Sequence, residues 1–236
     1  MIGPAAARDT PRPQAPGPRL IVLALDSATS RGSLALRRDG QAIASAILPE
    51  GGQGDALALH VEALLAGAGI RMGELGLLAA TIGPGRFTGL RAGLAFMRGL
   101  SLALGIPVAG VTTLAALRAG TACAPGEVAL ACIDSRRAEF FFQLGAEGAP
   151  FACRAAGLAA RMPPGARIVA VGERAEEAAT ALGEAGVATR AVPRLVDAAD
   201  VAALAEAMPR PAHPPAPLYI HPPATTAPRA SRRAAR

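Results

Sequence analysis

Residues 83–91 read Gly-Pro-Gly-Arg-Phe-Thr-Gly-Leu-Arg and lie between two apolar segments, Leu75–Ile82 and Leu90–Leu104. Glycine allows positive φ or close backbone approach, and the intervening proline fixes φ between the first two glycines. Thr88 stands where the N-cap of a helix is expected. The stretch predicts a strand-to-helix turn whose first helical N–H groups can hold an anion; a purely structural turn is the alternative.

Two common nucleotide-binding loops are excluded by these residues. A P-loop requires a lysine after its last glycine, but Gly89 is followed by Leu90 and the chain contains no lysine. A dinucleotide fingerprint requires a third glycine where this chain has Thr88. The candidate residues of the motif loop are Gly83, Pro84, Gly85, Phe87, Thr88, Gly89 and Arg91.

Composition predicts a substantial core built from small aliphatic residues. The chain has 236 residues, of which 51% are hydrophobic but only 3% are aromatic. Of the net charge of +6, four units come from the arginines of residues 222–236 and one from residues 1–18. The remainder is nearly neutral, which excludes a strong nucleic-acid surface on the folded body. The basic tail either contacts RNA or is simply solvated.

The cysteines and the apolar segments favour a cytoplasmic protein with no membrane association. Cys123, Cys132 and Cys153 match no metal motif, and their odd number fits a reducing compartment. The uncharged stretch Gly99–Leu117 is long enough to span a bilayer, but Gly105-Ile106-Pro107 interrupts it. The N-terminal residues show no secretory pattern.

Apolar periodicity and turn residues divide the chain into alternating strands and helices. The predicted strands are Leu20–Leu25, Ser33–Arg37, Gln41–Leu48, Leu75–Ile82, Pro107–Gly110, Val128–Asp134, Glu139–Leu144 and Arg167–Val171. The predicted helices are Asp55–Ala68, Thr88–Leu104, a segment containing Leu114–Arg118, Glu173–Gly186 and Asp197–Met208. This order predicts an α/β fold with mixed β-sheets flanked by helices.

We expect two lobes with an extension at each end. Lobe I covers residues 19–113, with residues 197–221 packing back on it, and lobe II covers residues 114–196. Residues 1–18 are a Pro-rich disordered extension, and residues 222–236 are a basic disordered tail.

The helix Thr88–Leu104 carries two apolar stripes. Leu90, Leu94 and Met97 lie on one stripe, which can bury against a sheet. The second consists of small residues around Phe96 and allows another helix to approach closely. It reads Gly89, Ala92, Phe96, Gly99 and Ala103. The hypothesis is an intersubunit helix; complete burial within its own domain is the alternative.

Few side chains are candidates for chemistry. Asp26 ends the first strand beside Ser27 and Thr29, where a carboxylate can hold a metal or water near a phosphate; a turn-capping aspartate is the alternative. Asp134 either belongs to a local ion-pair turn or faces a ligand. His60 has no second histidine one helical turn away, so no metal site is predicted.

Four segments together resemble the TsaB (YeaZ) family. They are residues 23–29 (Leu-Ala-Leu-Asp-Ser-Ala-Thr), the motif loop, residues 105–114 (Gly-Ile-Pro-Val-Ala-Gly-Val-Thr-Thr-Leu) and residues 133–140 (Ile-Asp-Ser-Arg-Arg-Ala-Glu-Phe). Residues 217–221 (Pro-Leu-Tyr-Ile-His) resemble the family's Pro-x-Tyr-Leu-Arg tail. The resemblance spans roughly residues 20–221.

The resemblance implies an actin-like (ASKHA, ribonuclease-H-like) fold. It also implies a non-catalytic subunit that heterodimerises with the transferase TsaD and recruits the ATPase TsaE. The complex threonylcarbamoylates the adenosine beside the tRNA anticodon. The pair would form through the first two helices, and the interface residues it implies are Leu57, His60, Val61, Leu64, Gly89, Ala92, Gly93, Phe96, Gly99 and Ala103.

The resemblance implies no cofactor of the chain's own and allows ATP or ADP at the interface of the complex. It also implies that tRNA binds through the complex and allows a homodimer when the chain is isolated. Ala28 replaces a phosphate-loop glycine of actin-like ATPases, so Asp26, Ser27, Thr29 and Asp134 form at most a vestigial nucleotide site. The alternatives are an ATP-binding phosphotransferase or ATPase that uses Asp26, and, more weakly, a glycoprotease-type peptidase.

Overall fold

The computed structural model of the chain describes residues 20–49 and 56–220. The predictions for residues 1–18 and 222–236 lie outside these residues, as do Asp55 and His221. None of the described helices combines the length and apolar character that a membrane crossing needs.

The first sheet has five strands. They are β1 (Ile21–Asp26), β2 (Ser33–Arg38), β3 (Gln41–Ile47), β4 (Leu77–Thr81) and β5 (Val108–Val111). Helix α1 (Leu57–Gly67) connects β3 to β4, and helix α2 (Phe87–Leu104) connects β4 to β5. The spatial order is β3-β2-β1-β4-β5, with β1 to β3 antiparallel and β1, β4 and β5 parallel.

The second sheet repeats the topology of the first. Its strands are β6 (Glu127–Asp134), β7 (Phe140–Leu144), β8 (Phe151–Cys153), β9 (Arg167–Gly172) and β10 (Thr189–Pro193). Their order, β10-β9-β6-β7-β8, again joins an antiparallel meander to two parallel strands. Helix α4 (Ala175–Glu184) links β9 to β10, as α2 links β4 to β5. This duplicated topology is that of the actin-like, ribonuclease-H-like fold, which confirms the predicted fold class.

Helices α3 (Thr113–Ala119) and α5 (Ala198–Ala207) lie between the two sheets. Alternate residues of β1 therefore pack into two different hydrophobic cores, one on each face of the sheet. Leu23 packs with α1 and α2, whereas Val22 packs with α3 and α5. Because both faces of the sheet are covered, β1 is apolar up to Asp26. A third core lies between the second sheet and α4.

The last described residues cross back over the first sheet. We call residues 209–220 the C-terminal strap. The backbone N–H of Leu218 donates to the carbonyl of Ile82 at 2.7 Å, and Arg98 donates to the carbonyl of Pro215 at 2.6 Å. The strap thus fastens the end of β4 and the middle of α2 together.

The sequence predicts most of these elements but misses two strands. The hairpin around Asp39-Gly40 is confirmed, and both residues adopt the positive φ that a tight two-residue turn requires. Strands β8 and β10 carry no clear signal, because β8 has three residues and β10 is a partly exposed edge strand that ends in Pro193.

Candidate functional site

The motif loop lies directly on the turn that follows β1. The backbone N–H of Arg86 donates to the carbonyl of Ala28 at 2.7 Å, and the Arg86 guanidinium donates to the carbonyl of Ser30 at 3.1 Å. A Cβ at Gly85 would collide with that same Ala28 carbonyl. Gly83 has φ of 99°, which favours glycine. The glycines therefore allow backbone to lie against backbone, and no ligand is needed to explain them.

Helix α2 begins one residue earlier than predicted, and the assignment of Thr88 as its N-cap is wrong. Arg86 occupies the cap position with extended backbone, and Phe87 is the first helical residue. Thr88 is exposed within the first turn, so its hydroxyl is past the cap position. The start of the helix is set instead by the attachment of Arg86 to Ala28.

Asp26 is fully buried in a network internal to the lobe. One carboxylate oxygen accepts hydrogen bonds from the Thr81 hydroxyl at 2.8 Å and the Ala28 N–H at 3.0 Å, and the other accepts from the Thr29 hydroxyl. Burial raises the pKa of Asp26, while these hydrogen bonds lower it and offset only part of the shift. The carboxylate ties the ends of β1 and β4 together.

The turn after β1 does not fit a phosphate. Phosphate-binding turns offer free backbone N–H groups. Here the N–H of Ser27 donates to Thr81, that of Ala28 to Asp26, and that of Ser30 to a carboxylate oxygen of Glu173 at 2.9 Å. Asp26 also has no exposed surface. An ATPase mechanism that uses Asp26 therefore lacks an accessible carboxylate in this structure.

Asp134 lines a cleft of about 460 Å³ together with Ser30 and Arg174, whereas the buried Asp26 does not line it. Its carboxylate accepts from the Arg174 guanidinium at 2.9 Å and from the Arg136 N–H at 2.8 Å. Burial alone would raise the pKa of Asp134, but the hydrogen bonds from Arg174 and Arg136 outweigh it and lower the pKa. The structure thus makes Asp134 part of an ion-pair cluster with Arg136 and Arg174. Its membership of a vestigial nucleotide site with Asp26 stays a prediction.

The two helices on the first sheet leave an apolar surface uncovered. Helix α1 packs on β2 and β3, and α2 packs on β4 and β5. Leu59 on α1 is 66% exposed, and Leu102 on α2 is 86% exposed. We define the outer face as six exposed apolar residues, three on each helix, that follow one another at a spacing of four and then three positions. They are Leu59, Ala63 and Ala66 of α1, and Ala95, Gly99 and Leu102 of α2.

Comparisons with known proteins show which family and which proteins this chain is similar to. The family model described as TsaD, tRNA N6-adenosine threonylcarbamoyltransferase, matches residues 55–149, which include both α1 and α2. The chain is 34% identical over 122 residues to the tRNA threonylcarbamoyladenosine biosynthesis protein TsaB of Escherichia coli. That match covers 51% of this chain and 53% of the E. coli protein, so the chain spans about half the length of this relative.

Two further matches extend over more of the chain. An uncharacterized protein of Mycobacterium bovis is 33% identical over 154 residues, covering 64% of this chain and 71% of that protein. The solved structure of YeaZ from Pseudomonas aeruginosa superposes with a TM-score of 0.64 at 27% identity, over 79% of this chain and 91% of YeaZ. The chain belongs to the TsaB (YeaZ) family.

Half of the predicted interface residues face the interior of this TsaB-family chain. They are Leu57, Val61, Leu64, Gly89 and Gly93. This corrects the prediction, because a side chain buried in its own core cannot contact a second protein directly. At Gly93 a Cβ would collide with the Ser27 side chain. Gly93 is therefore small so that α2 can lie against the turn after β1.

The other five predicted residues border or belong to the outer face. His60, Ala92 and Phe96 are half-buried, whereas Gly99 and Ala103 are exposed. No atom lies within 4 Å of the position that a Cβ on Gly99 would occupy, apart from the helix's own backbone and the neighbours of Gly99. Their contribution to an interface in the TsaB-family chain stays a prediction.

The sequence reasoning missed Leu59, Ala63, Ala66, Ala95 and Leu102, although a signal was present. Both helices repeat the same spacing of four and then three residues along the outer face. This spacing places three residues on one side of a helix. Within residues 20–49 and 56–220, no group of three or more His, Cys, Asp or Glu side chains is arranged to hold a metal ion.

Proposed function

We propose that this chain is the non-catalytic partner subunit of a TsaD transferase in tRNA threonylcarbamoyladenosine synthesis. The outer face of α1 and α2 contacts the transferase. TsaE and tRNA then bind to the assembled complex, in the cytoplasm. The observation that carries the proposal is the uncovered outer face of the two helices.

The composition of α1 supports a covered helix. Only His60 and Glu62 are polar among its eleven residues, and Leu57 and Val61 already fill the inner side. A helix that is apolar on all sides is typical of a fully buried position. Exposed apolar patches on folded proteins mark contact surfaces. The solvent side of α1 is therefore best explained by a protein that packs on it.

The small residues of the outer face suit helix-on-helix packing. Ala63, Ala66, Ala95 and Gly99 lie level with the helix backbone, and Leu59 and Leu102 project beyond them. Helices pack at interaxial distances of about 8–10 Å, and small contact residues give the shorter distances. The two leucines can enter grooves on a partner while the small residues allow its helices to approach.

The partner is inferred from the likeness of this segment to TsaD. Because the TsaD family model matches residues 55–149, a TsaD protein contains a counterpart of α1 and α2. Two proteins that carry the same two-helix face can pair about a pseudo-two-fold axis. The same geometry allows the isolated chain to pair with itself, and TsaD would then displace the second copy.

The closed turn after β1 supports a subunit without its own catalytic centre. Asp26 is sealed inside the lobe, and the N–H groups of Ser27, Ala28 and Ser30 are already paired. Any ATP or ADP that the complex uses would then bind at the interface with the partner or on the partner itself.

The test is complex formation with the TsaD homologue of the same organism, measured by size-exclusion chromatography with light scattering. We expect a 1:1 complex for the wild type. Leu102→Glu should abolish the complex, because it puts a charge at the most exposed large apolar side chain of the outer face. Met208→Glu is the matched control, since Met208 is an exposed apolar residue at the end of α5. A complex retained by Leu102→Glu would contradict the proposal.

A further inference from the structure

Arg91, at the start of α2, is held by two aromatic residues. Its guanidinium carbon lies 3.6 Å from the centre of the Phe87 ring, and its Nε donates to the Tyr219 hydroxyl at 3.1 Å. The Phe87 and Tyr219 rings are themselves 5.7 Å apart. Tyr219 belongs to the C-terminal strap, so this clamp joins residues more than a hundred positions apart in sequence.

The clamp uses only part of the arginine. The ring contact takes one face of the guanidinium and Tyr219 takes Nε, whereas the two terminal nitrogens have no hydrogen-bond or ion-pair partner in the part of the chain that the structure describes. Arg91 is exposed. A planar guanidinium held in one orientation presents a two-pronged donor that matches a carboxylate or phosphate. Holding it in advance reduces the conformational entropy lost when an anion binds.

Arg91 lies at the rim of the outer face. It precedes Ala95 by four residues on α2 and therefore lies on the same side of the helix. Helix α2 contains two arginines and no acidic residue, while α1 contributes a single acid, Glu62. The exposed Arg86, at the N-cap of the same helix, adds a further positive charge. An incoming surface that carries a negative group at this point would be electrostatically complementary.

We propose that Arg91 receives a carboxylate side chain of the protein that packs on the outer face. The clamp made by Phe87 and Tyr219 holds the guanidinium in the orientation for a two-pronged contact. This inference rests on the proposed function, because it names a contact within the complex with TsaD. It makes Arg91 a specificity determinant, and the C-terminal strap a part of the interface through Tyr219.

The test is the affinity for the cognate TsaD, measured by isothermal titration calorimetry without nucleotide and at several salt concentrations. We expect Arg91→Ala to weaken binding by at least about tenfold and to reduce the salt dependence of the affinity. Arg154→Ala, an exposed arginine of lobe II, is the matched control and should leave both unchanged. Arg91→Lys keeps the positive charge but not the two-pronged guanidinium, and Tyr219→Phe removes the hydrogen bond to Nε of Arg91. Both variants should therefore lose less affinity for TsaD than Arg91→Ala.

A carboxylate of TsaD whose removal weakens binding in the wild type but not in Arg91→Ala would identify the contact. Arg91→Ala binding within twofold of the wild type would overturn the inference and leave the proposed function standing. A loss seen only after ATP is added would also overturn it, since the anion would then be a phosphate. No binding by the wild type would overturn the proposed function and this inference together. Thermal melts of each variant verify that it folds.

Discussion

Gly93 and Gly99 lie six residues apart on α2, yet alanine should have opposite effects at the two positions. At Gly93 an added Cβ would collide with the Ser27 hydroxyl and would lie 2.9 Å from the Ser27 Cβ and 3.2 Å from a methyl of Leu25. At Gly99 nothing lies within 4 Å beyond the local helix backbone. Gly93→Ala therefore tests how closely α2 packs on the turn after β1, whereas Gly99→Ala measures only the difference in helix propensity between glycine and alanine.

The magnitudes follow from two competing effects. Alanine in place of glycine inside a helix stabilises by about 0.8–1 kcal/mol. Inserting a methyl group into a packed site costs about 1–3 kcal/mol. Rotation of the Ser27 side chain can move its hydroxyl, but its Cβ is fixed to the backbone of the turn after β1. The cost at Gly93 should therefore lie in the upper part of that range. We expect a net loss of about 1–2 kcal/mol for Gly93→Ala and a gain of about 1 kcal/mol for Gly99→Ala.

The assay is urea unfolding of the isolated chain followed by circular dichroism, supported by thermal melts. For a protein of this size, 1 kcal/mol corresponds to about 2–4 °C in Tm. Gly93→Ala should therefore lower Tm and Gly99→Ala should raise it. If Gly93→Ala is as stable as Gly99→Ala, α2 is not seated against Ser27, and the account of the closed turn is refuted.

Two further predictions concern titration. Because burial raises the pKa of Asp26 above its ordinary 3.8, the folded protein binds this proton more tightly than the unfolded chain. The contribution of Asp26 to the free energy of unfolding is therefore greatest below the ordinary pKa and falls as pH rises through the raised pKa. Asp26→Asn should remove this pH dependence when unfolding by urea is measured at several pH values. An unchanged pH dependence would contradict the raised pKa of Asp26. Hydrogen bonds from Arg190 lower the pKa of Glu127 to about 2. NMR titration of Arg190→Ala should raise this pKa towards the ordinary 4.5, although the Ala124 N–H, which also donates to Glu127, keeps part of the shift. A pKa that stays near 2 would contradict Arg190 as the main cause.

The fold was predictable where local patterns coincide with the final contacts. The hairpin at Asp39-Gly40 follows from turn chemistry, and the apolar run before Asp26 follows from a sheet covered on both faces. The assignment of Leu90, Leu94 and Met97 to the inner side of α2 follows from helical periodicity. Each of these depends on residues close together in sequence.

The candidate site was less predictable, because its contacts join distant residues. The family resemblance placed Gly93 at the interface, whereas the small size of this residue is explained by Ser27, 66 positions earlier. The bond from Ser30 to Glu173 spans 143 positions, and no local pattern encodes it. The start of α2 was misjudged for the same reason, since Arg86 is placed by Ala28 and not by a side-chain cap.

The central claim is that a TsaD partner covers the outer face of α1 and α2. Hydroxyl-radical footprinting with mass spectrometry measures it side chain by side chain. In the free chain Leu59 and Leu102 should be modified readily, as should Ile47 and Met208, which are exposed elsewhere. Addition of cognate TsaD should protect Leu59 and Leu102 several-fold and leave Ile47 and Met208 unchanged. Protection of Ile47 or Met208, with Leu59 and Leu102 still modified, would contradict the account.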